Sequence, residues 1–316
     1  MALVLNEEQQ LLRDSARSFF RESSPVEAFR KLRDRGEAWS PELWSAMAEM
    51  GWTGIVLPEE YSGLGFGYVG AGLLFEEAGR TLTSSPLLSS AVVCSSLVAG
   101  LGNDAQKRSL LPVIAGGELI TTLALDETSR LDPAATAMAG VANADGYELS
   151  GGKVSVIDGT IAHKFLVLAR TGGVPGDRDG LSLFVVDREA RGLGVTGVLN
   201  LDNRVAASLR FDKVQVGADA LIGNPGDAWE PLQKALDIGA VCLAAEMLGI
   251  AAEAFERTLG YLKGRKQFGV PVGSFQALQH RAALLFCELE LTRSAVLKAL
   301  QALDADSADR SLLASM

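Results

Sequence analysis

The amino-acid sequence predicts an α+β protein with segregated elements: an N-terminal all-α domain over residues 1–117, a central β-barrel or β-sandwich domain over 118–222, and a C-terminal long-helix bundle over 223–316. Three observations carry this. Apolar residues recur at helical spacing as far as Gly117, short β-branched and alternating runs follow, and a nearly unbroken helical pattern returns after Pro225-Gly226. Strands and helices do not alternate, which excludes a doubly wound parallel sheet.

Asn6 is placed to cap a first helix whose Leu11, Leu12, Ala16, Phe19 and Phe20 form one apolar stripe. Ser40-Pro41 puts a capping hydroxyl before a proline at the first helical position, and that helix ends at Gly51. Further helices are predicted through Ala71 to Gly79, Leu87 to Leu101 and Ala105 to Ile114. The central segment offers ITTLALDE, TAMAGVANADGYELSG, KFLVLART, LSLFVVD and ASLRFDKVQV as strands, with turn chemistry at Asp145-Gly146 and GGVPGDRDG. Leu232, Ala235, Leu236, Val241, Leu243, Leu248, Ile250, Ala251 and Phe255 then run to Lys263 as one helix of about 50 Å. A second long helix starts near Ser274, and a third begins at Ser311.

The composition excludes some classes of function. With 316 residues, 48% of them hydrophobic, the chain has ample side chains for several cores and a subunit interface, and its net charge of -10 disfavours a nucleic acid or anionic membrane as partner. Cys94, Cys242 and Cys287 each lie in an apolar run without pairing and read as reduced core residues of a cytoplasmic protein. Two histidines, His163 and His280, give no metal-ligand set. No stretch reads as the ~20 consecutive apolar residues of a membrane span, nor as a signal peptide.

Two motifs compete as ligand sites. Gly65-Phe66-Gly67-Tyr68-Val69-Gly70 matches G-x-G-x-x-G, yet PEEYS precedes it where a dinucleotide fingerprint needs a strand, and no acidic residue follows at the required distance, so it reads as a flexible connection. GRKQFGVPVGSFQALQHRAALL, residues 264–285, reads first as a helix end: Arg265 and Lys266 face the negative terminus, Gly269 and Pro271 break the helix, Ser274 caps the next, and Phe268 and Phe275 are core.

That run also resembles the signature of the acyl-CoA dehydrogenase family, which reads R-K-Q-F-G-x-P-I-x-x-F-Q-x-x-Q-x-x-L-A. MGWTGIVLPEEYSGLG, residues 50–65, is similar to the family's N-terminal motif, and LSGGKVSVIDG to its central I-N-G-x-K-x-W-I-T-N-G. The three stand in family order over essentially the whole chain. The resemblance implies a flavoprotein whose FAD lies between the β domain and the C-terminal helices, with the ADP half clamped by the neighbouring subunit's R-K-Q-F segment. It places Arg265, Gln267, Phe268 and Phe275 at the cofactor, a guanidinium suiting pyrophosphate and an aromatic ring suiting adenine. It also implies α,β-dehydrogenation of an acyl-CoA, an electron-acceptor flavoprotein, and a dimer or tetramer formed with copies of itself or with a related subunit.

The chain departs from that pattern in several places. The resemblance places the family's carboxylate base either in a C-terminal segment beyond this chain's last residue or on the long helix, where Asp237 is kept but Gly239 stands at the base position and Ala240 at a substrate-contacting arginine, leaving Glu246 as the weak candidate base. Where the family sets a tryptophan and a threonine against the flavin ring, this chain has Ser155 and Ile157. In LDETSRLDP, Glu127 matches the family while Asp126 replaces a threonine, and an anionic Asp126 would oppose flavin reduction unless protonated. Asp158 reads as a turn residue beside Gly159. ADRSLLASM stops at Met316 before the family's glycine-rich ADP-binding segment, a C-terminus truncated relative to the family. The expectation is a catalytically incomplete subunit whose arm completes a partner's FAD site. The alternatives are a self-sufficient flavoenzyme with a relocated base, dehydrogenase or flavin hydroxylase, and a structural or acyl-binding subunit without flavin.

Overall fold

A computed structural model describes residues 3–200, 202 and 204–315, so the chain end at Met316 lies outside the described residues. In chain order the elements are α1 (Glu7–Ser23), α2 (Val26–Asp34), α3 (Pro41–Glu49), α4 (Gly67–Thr81), α5 (Ser95–Leu101), α6 (Asp104–Ala115), β1 (Thr121–Ala124), β2 (Ala139–Asn143), β3 (Gly146–Ile157), β4 (Lys164–Arg170), β5 (Leu181–Asp187), β6 (Leu193–Leu199), β7 (Val205–Gly217), β8 (Leu221–Ile222), α7 (Trp229–Gly264), β9 (Lys266–Gln267), β10 (Val270–Pro271), α8 (Gln276–Asp304) and α9 (Arg310–Ala314). Helices, then strands, then long helices is the order the sequence predicts. Two compact units emerge: Met1–Lys31, Gly67–Thr83 and Ala240–Met316 form the first, and Leu32–Phe66 with Ser84–Gly239 the second.

In the first unit, α1 starts where Asn6 predicts. Its side chain accepts from the Gln9 amide at 2.8 Å while Gln9 accepts from the Asn6 amide at 3.1 Å, a reciprocal cap that stabilises by about 1 kcal/mol. Leu12, Ala16 and Phe20 are buried, whereas Leu11 is exposed, so the apolar stripe is narrower than the sequence suggests. α4 is buried over its whole length from Val69 to Thr81, and its polar residues are paired. Arg17 of α1 donates to both carboxylate oxygens of Glu77 at 2.7 and 3.0 Å, and Glu76 accepts from Arg293 of α8.

The glycines of α4 and α7 set how closely these helices approach. A Cβ on Gly79 would lie 2.2 Å from the carbonyl oxygen of Glu246, and one on Gly249 would lie 1.8 Å from that of Glu76. Only hydrogen fits at such a crossing. The G-x-G-x-x-G run belongs to this packing and is not the flexible connection the sequence suggests. Gly67 through Gly70 open α4, and the Asp304 carboxylate at the end of α8 accepts from the Tyr68 and Val69 amides at 2.5 and 3.1 Å. A helix leaves its first amides without intrahelical partners, and an anion there satisfies them.

Helix α7 runs 36 residues, about 54 Å. Contrary to the sequence reading, it is long and apolar enough to cross a membrane by length and composition, but 56% of its apolar window is buried within the protein. The close approach to α4 is where that surface goes. Cys94 and Cys242 are core thiols, and burial raises the pKa of both, that of Cys94 to about 12. Cys287 corrects the core expectation: it is exposed, because the first half of α8 carries its apolar residues outward.

In the second unit Ser40 caps α3 by accepting from Leu43 N at 3.1 Å, with Pro41 in the first turn and Gly51 left-handed after the last. The stretch predicted as one helix from Leu87 to Leu101 is a π-helix over Leu87–Cys94 continuing as α5. The strands form one mixed sheet in the order β6-β7-β3-β2-β4-β5-β8, with β1 alongside β4 in parallel. Its core gathers Leu149, Val156, Phe165, Val167, Phe184 and Phe211. Strand β6 escapes the sequence reading because Gly194 and Gly197 dilute its β-branched character, and pairing with β7 supplies what propensity does not. The β2–β3 turn centres on Ala144 and Asp145, one residue earlier than Asp145-Gly146, with the Asn143 side chain accepting from the Asp145 amide.

Candidate functional site

The second unit brings Asp126 and Glu127 together with a residue sequence reasoning did not single out, Lys153. Lys153 is fully buried on β3 and donates from Nζ to the Leu125 carbonyl and to Glu127 Oε1, each at 2.9 Å. Glu127 also accepts from the Ala137 and Met138 amides at 2.9 and 3.0 Å, tying the end of the 127–138 loop back to the sheet. Burial works against the Glu127 charge, but Lys153 and the two amides outweigh it and hold the carboxyl below its usual range. For Lys153 burial dominates, and its pKa is lowered despite Glu127 and Asp126. The available signal was a lysine in the middle of a strand, at position 153 of GYELSGGKVSVI.

Asp126 is half-buried, and burial raises its pKa with Lys153 partly offsetting the rise. Its carbonyl accepts from Val154 N at 2.7 Å, which docks the β1 exit against β3. Here β3 is irregular: the register against β7 shifts between Lys153 and Val156, leaving Ser155 in a bulge at φ 53°, exposed. Bulges re-aim side chains and occur beside active sites. Ile157 follows with 42% exposure, and its carbonyl accepts from the Thr122 hydroxyl at 2.5 Å.

Asp158 is a turn residue as predicted, at φ 57°, but it is also buried. Burial pushes its carboxyl up to about 6, against the lowering effects of the Ser89 hydroxyl, which donates at 2.6 Å, and of Arg204. Ser89 belongs to the π-helix, so this bond joins that helix to the turn after β3. Ser90 adds a second link, accepting from Thr121 N at 3.0 Å. On α7, Gly239 faces Val93 of the same π-helix at an ordinary 3.4 Å from where a Cβ would be.

In the first unit, Arg265, Gln267, Phe268 and Phe275 come together in a hairpin. The Arg265 amide closes the last turn of α7 on the Tyr261 carbonyl at 2.8 Å, and the Arg265 carbonyl accepts from Val272 N at 2.8 Å. Between them β9 and β10 pair antiparallel with Gln267 opposite Val270, leaving the two-residue loop Phe268-Gly269 at φ 54° and 83°. Both central residues left-handed is the primed turn that matches strand twist, and it favours Asn or Gly. A phenylalanine there is strained by roughly 1–3 kcal/mol. The helix-end reading holds for the chain path and fails for the side chains. Phe268 is 91% exposed and Phe275 38%, their rings edge-to-face at 6.2 Å, so neither is core. Ser274 does not cap α8, which starts after Phe275 without a side-chain cap; its hydroxyl donates to the Pro271 carbonyl at 2.8 Å. Gln279 supports the turn instead, donating to the Gly273 carbonyl at 2.9 Å.

Glu246 belongs to neither group. It is buried in the α4–α7 crossing, its backbone against Gly79. Among the described residues, no cluster of three or more His, Cys, Asp or Glu is placed to hold a metal ion.

Two chemical environments result. The hairpin presents a cation, an amide and an exposed aromatic, a donor set suited to a nucleotide diphosphate and its base. The β3 face presents Ser155 and Ile157, which offer neither a large aromatic surface nor, at 157, a side-chain hydrogen bond.

Residues 6–118 match the family model of the acyl-CoA dehydrogenase N-terminal domain, and residues 226–316 that of the acyl-CoA dehydrogenase C-terminal domain. The probable acyl-CoA dehydrogenase YngJ of Bacillus subtilis is 30% identical over 305 residues, which cover 95% of this chain and 80% of that protein. Among solved structures, one described as an electron transferring flavoprotein of Acidaminococcus fermentans matches with a TM-score of 0.92 at 28% identity, covering 100% of this chain and 84% of that one. A Tcur3481-Tcur3483 steroid ACAD variant matches with a TM-score of 0.84 at 33% identity, covering 98% and 81%. Helical, β and long-helical segments in this order, the R-K-Q-F hairpin and these matches at both ends lead to one conclusion: the chain belongs to the acyl-CoA dehydrogenase family of oxidoreductases.

Proposed function

We propose that this chain is a subunit of a cytoplasmic, FAD-dependent acyl-CoA dehydrogenase, and that its part is to complete the cofactor site of a partner subunit. The observation that carries the reading is Phe268, held in a left-handed turn and 91% exposed at the tip of a hairpin beside Arg265. A strained, solvated aromatic is unfavourable for the free chain and is explained by a partner's ligand against it.

FAD fits this chain at one end only. Arg265, Gln267 and Phe268 would hold the ADP half, a guanidinium on the diphosphate and a ring on the adenine. The ring-facing positions fit poorly: Ile157 has no group to hydrogen-bond the isoalloxazine, and Asp126 brings a carboxylate that burial raises without removing it. When bound, FAD supplies the hydride acceptor for α,β-desaturation of an acyl thioester, and the enzyme must supply a base for the α proton. Gly239 and Ala240 provide no such base, and Glu246 is held in a helix crossing. On this reading the partner is a related subunit that carries a base, and electrons leave through an electron-transferring flavoprotein.

The test is flavin content. Co-expressed with a base-bearing subunit, the chain is expected to form a complex that retains FAD, and Arg265→Ala to weaken that retention about 10- to 100-fold while the complex stays intact by size exclusion. The isolated chain is expected to hold no flavin and to turn over no acyl-CoA. Flavin with turnover from the isolated chain would overturn the proposal.

A further inference from the structure

We infer that the exposed face of α7 is the surface on which the base-bearing partner subunit docks, through an apolar helix laid along it. This rests on the subunit reading above and extends it from the cofactor to the protein that holds the cofactor. Ala240, Met247, Ala251, Ala254, Thr258 and Tyr261 of α7 are all exposed. Steps of three, four and seven residues bring them onto one side of the helix, along about 30 Å of its length. Ala245, Gly249 and Ala252 are buried on the opposite side, where Gly249 meets the Glu76 carbonyl of α4.

A helix that ends its packing at water turns charged residues outward, and the outward positions of α7 from Ala240 to Tyr261 carry none. Met247 is 61% exposed and Tyr261 63%, and both residue types are enriched at the charge-poor centres of protein interfaces. The charges that border the face are already paired within the chain. Arg257 donates to Glu253 at 2.7 Å, and Arg80 donates to Glu256 at 2.9 Å. The occupant therefore needs no counter-charge, and the three alanines let a helix approach closely. Its identity follows from where the face ends. Arg265 lies about five turns beyond Met247, on the same side, and its amide closes the last turn of α7 on the Tyr261 carbonyl. Phe268 follows at the hairpin tip, so a body whose ligand rests against Arg265 and Phe268 lies in line with this face.

The test is the affinity of the full chain for a base-bearing subunit of the family, read by analytical ultracentrifugation, with flavin absorbance recorded on the same samples. Met247→Glu and Ala254→Glu place a charge at exposed positions and are expected to weaken association at least ten-fold, with the melting temperature of the isolated chain unchanged. Leu11→Glu, the same kind of change at an exposed apolar residue of α1, is expected to leave association as it is. No complex, or a complex indifferent to both α7 substitutions, would overturn the inference. An isolated chain that dimerises and becomes monomeric on Met247→Glu would overturn it in favour of a second copy. Binding to phosphatidylcholine vesicles that Met247→Glu abolishes would overturn it in favour of a lipid surface. The two proposals fail differently. A complex that retains FAD but ignores the α7 charges sinks the docking face alone, whereas one that both charges weaken but that holds no FAD supports the face and sinks the cofactor role.

Discussion

Replacing Asp158 with asparagine is expected to stabilise the protein at neutral pH, and the structure sets both the sign and the size. The carboxyl is buried and its pKa is pushed up from 3.8 to about 6, so the folded chain holds this proton more tightly than the unfolded one. The stabilisation that the proton brings is complete below the unfolded pKa near 3.8 and is lost as pH rises through about 6. Above that, an ionised carboxylate sits where a neutral group is preferred, a cost of up to about 3 kcal/mol. Asparagine stays neutral, keeps an acceptor for the Ser89 hydroxyl and tolerates the left-handed backbone at φ 57°. Urea unfolding of Asp158→Asn and wild type at pH 8 and pH 5 measures the effect. The variant is expected to be more stable by ~2–3 kcal/mol at pH 8, with the gap narrowing by about 1.4 kcal/mol at pH 5. A gap that does not change with pH, or a variant less stable than wild type at pH 8, would refute the assignment of a buried, destabilising charge.

Other substitutions test the packing around both sites. Lys153→Met removes the buried partner of Glu127 and is expected to cost about 3–5 kcal/mol in urea unfolding, with Glu127→Gln added to it recovering part of the loss. A cost under about 1 kcal/mol for the single change would mean water already solvates that pair. Gly239→Ala and Gly249→Ala, on one helix, are expected to move stability in opposite directions. Gly239 has ordinary space beside Val93, so alanine gains about 0.5–1 kcal/mol of helix propensity. At Gly249 the added methyl meets the Glu76 carbonyl oxygen at 1.8 Å and must push α4 from α7, a loss above about 2 kcal/mol. Equal effects at the two glycines would show that the helix crossing is looser than described.

The strain at Phe268 and the openness at Ser155 bear on the same question of what each part of the chain is for. Both residues are non-glycine at positive φ, and both are exposed. At Phe268 the neighbours Arg265 and Gln267 give a strained tip something to bind with. At Ser155 the neighbour is Ile157, which gives a surface but no donor. The contrast between a furnished hairpin and a bare strand face is the physical basis of the proposal that this chain completes a partner's site.

By itself the sequence determined the features that depend on local chemistry. Asn6 and Ser40 are caps because a short polar side chain beside an apolar repeat has one favourable use, and both bonds are present. The order of helices, strands and long helices followed from the change of hydrophobic period, and the family followed from three motifs in order. What depends on partners distant in the chain was decided by tertiary structure. Gly67 and Tyr68 open a helix because Asp304, far along the chain, receives the Tyr68 and Val69 amides. Lys153 is an interior cation because Glu127 and the Leu125 carbonyl are folded against it. Ser274 was free to cap a helix and instead holds a turn, since Gln279 and Phe275 already fix the start of α8. Phe268 shows the division most sharply. Its aromatic character was legible in the sequence, but only the hairpin, by forcing φ to 54° with no core beside it, decided that the ring faces outward.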